Sequence, residues 1–185
     1  PYAFPADELR DAARRAGVEV VLFNFPPGDW AAGERGIACL PERVAEFRDG
    51  VALAARYAEA LDCPRLNCLA GLRGAGHSET ALLTTLVDNL RHAADALAPA
   101  GREVLTEPLN SRDTPGFYLD RTAPALALIA AAARPNLRLQ YDIYHAQVME
   151  GDLARTLERH LPQIGHIQLA DNPGRHEPGT GEINF

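Results

Sequence analysis

Five short, β-rich apolar runs alternate with segments of helical periodicity, and this alternation limits the chain to a fold built on parallel strands. The runs read VEVVLFNF, RLNCLAG, EVLTEPLN, LRLQYDIYH and IGHIQLAD. Each is too short and too continuously apolar for a half-exposed hairpin strand, and each follows a helix-like segment. The first of these, FPADELRDAARRAG, has an acidic first turn and Gly17 where a helix should stop. The second places Val44, Phe47, Val51, Ala55, Ala58 and Leu61 at steps of three and four. Ser78 is placed to cap the third, with Leu83, Leu86, Leu90 and Leu97 as its apolar stripe and Pro99 and Gly101 at its end. Two more are predicted around residues 121–133 and 152–161.

Parallel strands covered by helices form either an open doubly wound sheet or a (β/α)8 barrel. The strand ends favour the barrel. Each run carries a polar side chain near its C-terminal tip: Asn24, Asn67, Glu107, Asp142 and Gln168. A barrel aims the ends of all its strands at one mouth, whereas an open sheet has a single crevice at its switch point. A full barrel has eight strands and typically about 250 residues. The expectation is therefore one partial TIM-barrel domain over residues 1–185, with five βα units standing as strands three to seven. Residues 170–185 then read as the loop after strand seven.

The chain contains no lysine; all 18 of its Lys+Arg residues are arginine. Within these residues that excludes Schiff-base chemistry, lysine-anchored pyridoxal phosphate and the P-loop. The net charge of −7 argues against a nucleic-acid backbone as partner. No apolar run approaches the length of a membrane span, and neither a signal peptide nor an even cysteine count is present, so a cytoplasmic setting without a membrane is expected. Cys39, Cys63 and Cys68 are read as small buried hydrophobes. Self-association into a homo-oligomer stays open.

Glu107, Asp142 and Gln168 each offer oxygen at the barrel mouth, a donor set that suits Mg²⁺ or Mn²⁺ better than zinc. His145 falls just past a strand end, within reach of a substrate, whereas His166 lies deeper and reads as a core residue. GLRGAG, residues 71–76, only weakly matches a phosphate-cradling loop. Trp30, in a loop rich in Gly and Pro, fits a lid or a packing residue equally well.

Four stretches carry a specific resemblance: LFNFPPGDWAAGERGIA, EPLNSRDTPGFYLD, LQYDIYHAQVMEGDL and GHIQLADNPGRHEPGTGEIN. Together they resemble the hydroxypyruvate isomerase family, within the xylose-isomerase-like TIM barrels. The resemblance implies an isomerase that interconverts hydroxypyruvate and 2-hydroxy-3-oxopropanoate by metal-assisted proton transfer through an enediolate, acting on a small 2-oxo acid. It implies Glu107 as a catalytic glutamate and metal ligand, with Asp142 and Gln168 as further ligands and His145, Arg175 and Asp113 beside the substrate. Arg175, then Arg112, is expected to grip the substrate carboxylate. A second glutamate is implied on an eighth strand, beyond the loop that holds Glu177 and Glu182. The similar 2-oxo-tetronate isomerases mark a four-carbon alternative. Apurinic endonucleases share the barrel, but their metal-binding Asp-Arg-His is matched here by Gly174-Arg175-His176.

Overall fold

The computed structural model describes residues 1–74 and 76–185. Its centre is a five-stranded, all-parallel sheet in the order β1-β2-β3-β4-β5, so each strand lies beside its sequence neighbour. The strands are β1 (Phe23–Asn24), β2 (Arg65–Cys68), β3 (Glu103–Thr106), β4 (Leu137–Asp142) and β5 (Ile164–Gln168). Every crossover contains helix: α2 (Val44–Leu61), α3 (Glu79–Leu97), α4 (Thr122–Ala132), and the pair α5 (Ile143–Met149) and α6 (Leu153–His160), with α1 (Ala6–Ala16) preceding β1. This sequential, uniformly parallel order is that of a barrel wall, here an open one.

The helices end where the sequence says they should. Gly17 closes α1 in the left-handed conformation, and the Ser78 hydroxyl accepts from the Ala81 N–H at the start of α3. The start of α4 has a cap from elsewhere in the chain. Arg121 offers it no side-chain bond, and instead the Glu150 carboxylate accepts from both the N–H and the hydroxyl of Thr122. A carboxylate there also complements the positive end of the helix dipole. Glu150 follows α5, so this cap ties the segment after β4 to the helix before it.

Three expectations are corrected. The first strand spans two residues rather than the whole of VEVVLFNF, pairing Phe23 with Leu66 and Asn24 with Asn67. Val18 and Val21 are exposed, without a neighbouring strand among the described residues to complete a ladder. The stripe on α3 holds at Leu86, Leu90 and Leu97 but starts from buried Leu82, whereas Leu83 is 44% exposed. The stripe is centred on Ala93 and Ala94, which press α3 against the sheet, and Leu83 is left facing a groove beside Leu128 and Ala131. The fourth strand stops at Asp142, and Ile143-Tyr144-His145 open a helix instead of extending it. The cause is local. The Asp142 carboxylate accepts from the Tyr144 N–H at 2.8 Å, capping α5.

All three cysteines are free and buried, as read from the sequence, and burial pushes the Cys39 thiol up to about 12. Among the described residues no helix is long and apolar enough to cross a membrane.

The loop after β1 is pinned to the end of β2 by backbone packing. Gly36 has φ +102° and donates to the Pro27 carbonyl at 2.9 Å, and a Cβ added to it would stand 2.2 Å from the Leu69 carbonyl oxygen. Gly36→Ala is expected to cost at least about 2 kcal/mol, because it adds a backbone clash to a conformation L-residues avoid. Gly33→Ala, at φ +93° with nothing near its would-be Cβ, should cost about 1 kcal/mol, for the conformation alone. Urea denaturation of both variants measures the difference.

Candidate active site

The C-terminal ends of the five strands are linked by one chain of polar side chains. Asn67 donates to the Asn24 side chain at 3.1 Å and to Glu107 Oε2 at 2.8 Å. Glu107 also accepts a bond from Gln140, whose amide donates in turn to Gln168 Oε1 at 3.1 Å. Asn67, Glu107 and Gln140 are all at most 4% exposed. Above them opens a cleft of about 340 Å³ lined by Glu107, His145, Gln168, Arg175, Trp30 and Arg35, among others. Of the strand tips expected to converge, Asn24, Glu107 and Gln168 line the cleft, while Asn67 and Asp142 are buried outside its lining.

Glu107 lies one residue past β3, followed by Pro108, which cannot continue a strand ladder. Burial pushes its carboxyl up, the negative charge of Asp142 adds to the effect, and the bonds from Gln140 and Asn67 only partly offset them, leaving a value of about 7. Asp142 is as deeply buried but better compensated. Its Oδ1 takes the Tyr144 N–H, and its Oδ2 takes Arg175 Nη2 at 3.0 Å. Burial and the neighbouring negative charge thus make Glu107 a stronger base than an ordinary carboxylate.

Oxygen or nitrogen atoms of Glu107, Asp142 and His145 lie within 4.8 Å of one another. Distance alone would make His145 a third metal ligand. Its hydrogen bonds argue otherwise. Nδ1 receives both the Asn110 backbone N–H at 3.1 Å and the Asn110 side-chain amide at 2.7 Å, so it acts as an acceptor. Burial keeps the ring below its usual pKa and hence neutral, and a neutral ring with a lone pair on Nδ1 carries its proton on Nε2. That Nε2 is buried and has no hydrogen-bond partner among the described residues. It faces Asp142 Oδ2 at 3.7 Å, too far for a hydrogen bond.

Asp113 accepts from Tyr144 Oη at 2.6 Å and from the Asn110 amide at 3.1 Å, bonds that hold its carboxyl below the usual range. It lines the cleft, as does Gln168. Arg112 and His166 do not line it; His166 lies half-buried along β5 beside Arg65. Glu177 and Glu182 are also outside the lining, and Glu182 accepts from Gln147 on α5 and from Asn172 in its own loop. Trp30 lines the cleft and is 52% exposed, so its place is at the mouth and not over the helices. GLRGAG includes Ala75, outside the described residues; within the rest, Leu72 bridges to Phe117. Sequence reasoning missed Gln140 and Arg35. Gln140 could have been found from strand alternation, since it shares the face of Asp142 two residues on.

The barrel wall agrees with what the chain resembles. The chain belongs to the xylose isomerase-like TIM barrel family, whose profile matches residues 1–185. It is 52% identical to the hydroxypyruvate isomerase of Escherichia coli strain K12 over 185 residues, covering 100% of this chain and 72% of that protein. To the 2-oxo-tetronate isomerase of Cupriavidus necator it is 44% identical, covering 100% of this chain and 71% of that one. A crystal structure described as an AP endonuclease of family 2 from Brucella melitensis superposes with a TM-score of 0.96 at 46% identity, over 100% of this chain and 71% of that chain.

Arg175 and the loop around it are held by Asp171, which is fully buried. Its carboxylate accepts from the N–H groups of Asn172, Gly179, Gly181 and Ile183, which together outweigh the upward push of burial and hold it below the ordinary carboxylate value. Asp171→Ala should free these amides. Hydrogen exchange at Gly179, Gly181 and Ile183 is expected to accelerate at least tenfold, with β2 and β3 unchanged.

Proposed function

We propose that this protein is a metal-assisted isomerase of small 2-oxo acids, interconverting hydroxypyruvate and 2-hydroxy-3-oxopropanoate. The observation that carries the reading is the buried carboxylate of Glu107, raised to about 7 and standing at the floor of a cleft beside Asp142. The names of the relatives, hydroxypyruvate isomerase and 2-oxo-tetronate isomerase, support the same chemistry.

A base for this reaction must remove a proton from carbon beside a carbonyl, and a carboxylate raised toward neutral pH is a better base than an ordinary one. Glu107 takes the proton from carbon 3 of hydroxypyruvate. The resulting enediolate is reprotonated at carbon 2, giving the aldehyde. His145, neutral with its proton on Nε2 at 3.7 Å from Asp142 Oδ2, lines the cleft beside the substrate. Arg175 fixes the Asp142 carboxylate and borders the substrate.

The donor set fits a hard divalent cation, Mg²⁺ or Mn²⁺. Glu107 and Asp142 are two buried like charges that such an ion would neutralise, and each hydrogen-bonded carboxylate oxygen keeps a second lone pair. Gln168 completes the set with its amide oxygen. When bound, the ion supplies Lewis-acid stabilisation of the negative charge that develops on the substrate oxygens. The endonuclease reading has no comparable support: Gly174, at the position of that family's Asp, brings no ligand.

Glu107→Gln keeps shape and hydrogen bonding but removes the base. In the complete enzyme it should lower kcat for hydroxypyruvate by roughly 10²–10⁴-fold with an unchanged circular dichroism spectrum. Retention of most activity would remove Glu107 from this role. A four-carbon 2-oxo acid turned over far faster than hydroxypyruvate would move the substrate assignment and leave the chemistry standing.

A further inference from the structure

A 2-oxo acid brings a permanent negative charge into a cleft that already holds carboxylates, so a cation must be available to receive it. Two guanidinium groups line the cleft, those of Arg35 and Arg175. Arg175 is committed: it donates to Asp142 Oδ2 at 3.0 Å and lies 5.3 Å over the Tyr144 ring. Arg35 is not. Its Nη1 donates to the backbone carbonyls of Trp30 and Glu34, at 3.3 and 2.8 Å, and neither its Nε nor its Nη2 has an acceptor among the described residues.

Arg35 is also held in place without a carboxylate. Its guanidinium carbon lies 3.9 Å over the Trp30 ring. The next residue, Gly36, is packed against the Leu69 carbonyl, and the preceding Glu34 is ion-paired with Arg43 at 2.7 Å. The backbone on both sides of Arg35 is thus fixed while its fork remains open, the arrangement of a receptor for a planar anion. Asp113, the other charged side chain near the mouth, is already satisfied by Tyr144 and Asn110.

We propose that Arg35, stacked on Trp30, receives the substrate carboxylate and restricts the cleft to acids. The proposal rests on the isomerase reading above and adds the residue that selects the substrate class. It also separates the two arginines: Arg175 orients Asp142, and Arg35 reads the ligand's charge.

The test compares wild type with Arg35→Met, which keeps the apolar stem on Trp30, and Arg35→Lys, which keeps charge without the fork, all in the complete enzyme. Two readouts are needed: steady-state kinetics with hydroxypyruvate, and calorimetric binding of D-glycerate with glycerol as the uncharged control. Arg35→Met should raise KM by roughly 10- to 100-fold, the worth of a charge-assisted hydrogen bond, with kcat changed no more than about threefold and glycerate binding weakened by a similar factor as KM. Arg35→Lys should recover part of both. If both variants stay within threefold of wild type in KM and in glycerate affinity, the proposal is overturned. Should Arg35→Met fail to fold, Arg35→Gln takes its place under the same criteria. If wild-type enzyme turns over no 2-oxo acid, the isomerase reading fails by itself; glycerate binding then still decides the role of Arg35, supporting it if the variants weaken binding and rejecting it if they do not.

Discussion

Everything at the mouth of this sheet answers to one costly act, the burial of the Glu107 carboxylate. A carboxylate in low dielectric must be bonded, neutralised or given an opposite charge. Here the first remedy is partial: Asn67 and Gln140 each supply one donor. The third is outweighed: the negative charge of Asp142 exceeds the opposing influence of Arg175, so the carboxyl is pushed toward its neutral form. What remains is a carboxyl with a raised pKa, and the parallel sheet is what makes it possible. Each strand contributes a polar side chain near its C-terminal end, so the donors that keep Glu107 from being simply expelled come from β2 and β4 on either side of it.

The loops solve a different problem, holding charged groups still at an open mouth. Short loops over a barrel have few apolar contacts to order them, so order comes from backbone hydrogen bonds and close approach. Asp171 gathers four amides from its own loop and thereby sets the backbone of Arg175, which sits at φ +59°. The β1 loop uses glycine instead, Gly36 lying against the Leu69 carbonyl and Gly71 against the carbonyl of Gly36. Both devices place an arginine on backbone that cannot easily shift, which matters because an oriented cation is worth more than a mobile one.

The alternation of helix and strand was legible because each level of the sequence agreed with the next: apolar period, Ser78 as a start signal and Gly17 as a stop signal, and polar strand tips. Element ends were less so. Ile143, Tyr144 and His145 have strand-like side chains, yet they form a helix because Asp142 caps it, and capping depends on a geometry that composition does not announce. Glu107, Asp142 and Gln168 could be read from position alone. Arg35 could not, since one arginine among eighteen becomes notable only when its Nε and Nη2 are seen to lack acceptors at the edge of a cleft. Gln140 was hidden for the opposite reason: its partners lie on other strands.

The bond between Arg175 and Asp142 also bears on why the cleft carries two arginines rather than one. If the guanidinium of Arg175 received the substrate carboxylate, Asp142 would lose its compensating charge at the moment another anion entered, and the two buried carboxylates would repel each other more strongly. Assigning the arriving charge to Arg35 leaves the Arg175–Asp142 pair intact. Glu107 then keeps the neighbour that raises its basicity, and the substrate is held from the far side of the cleft without disturbing the base that acts on it.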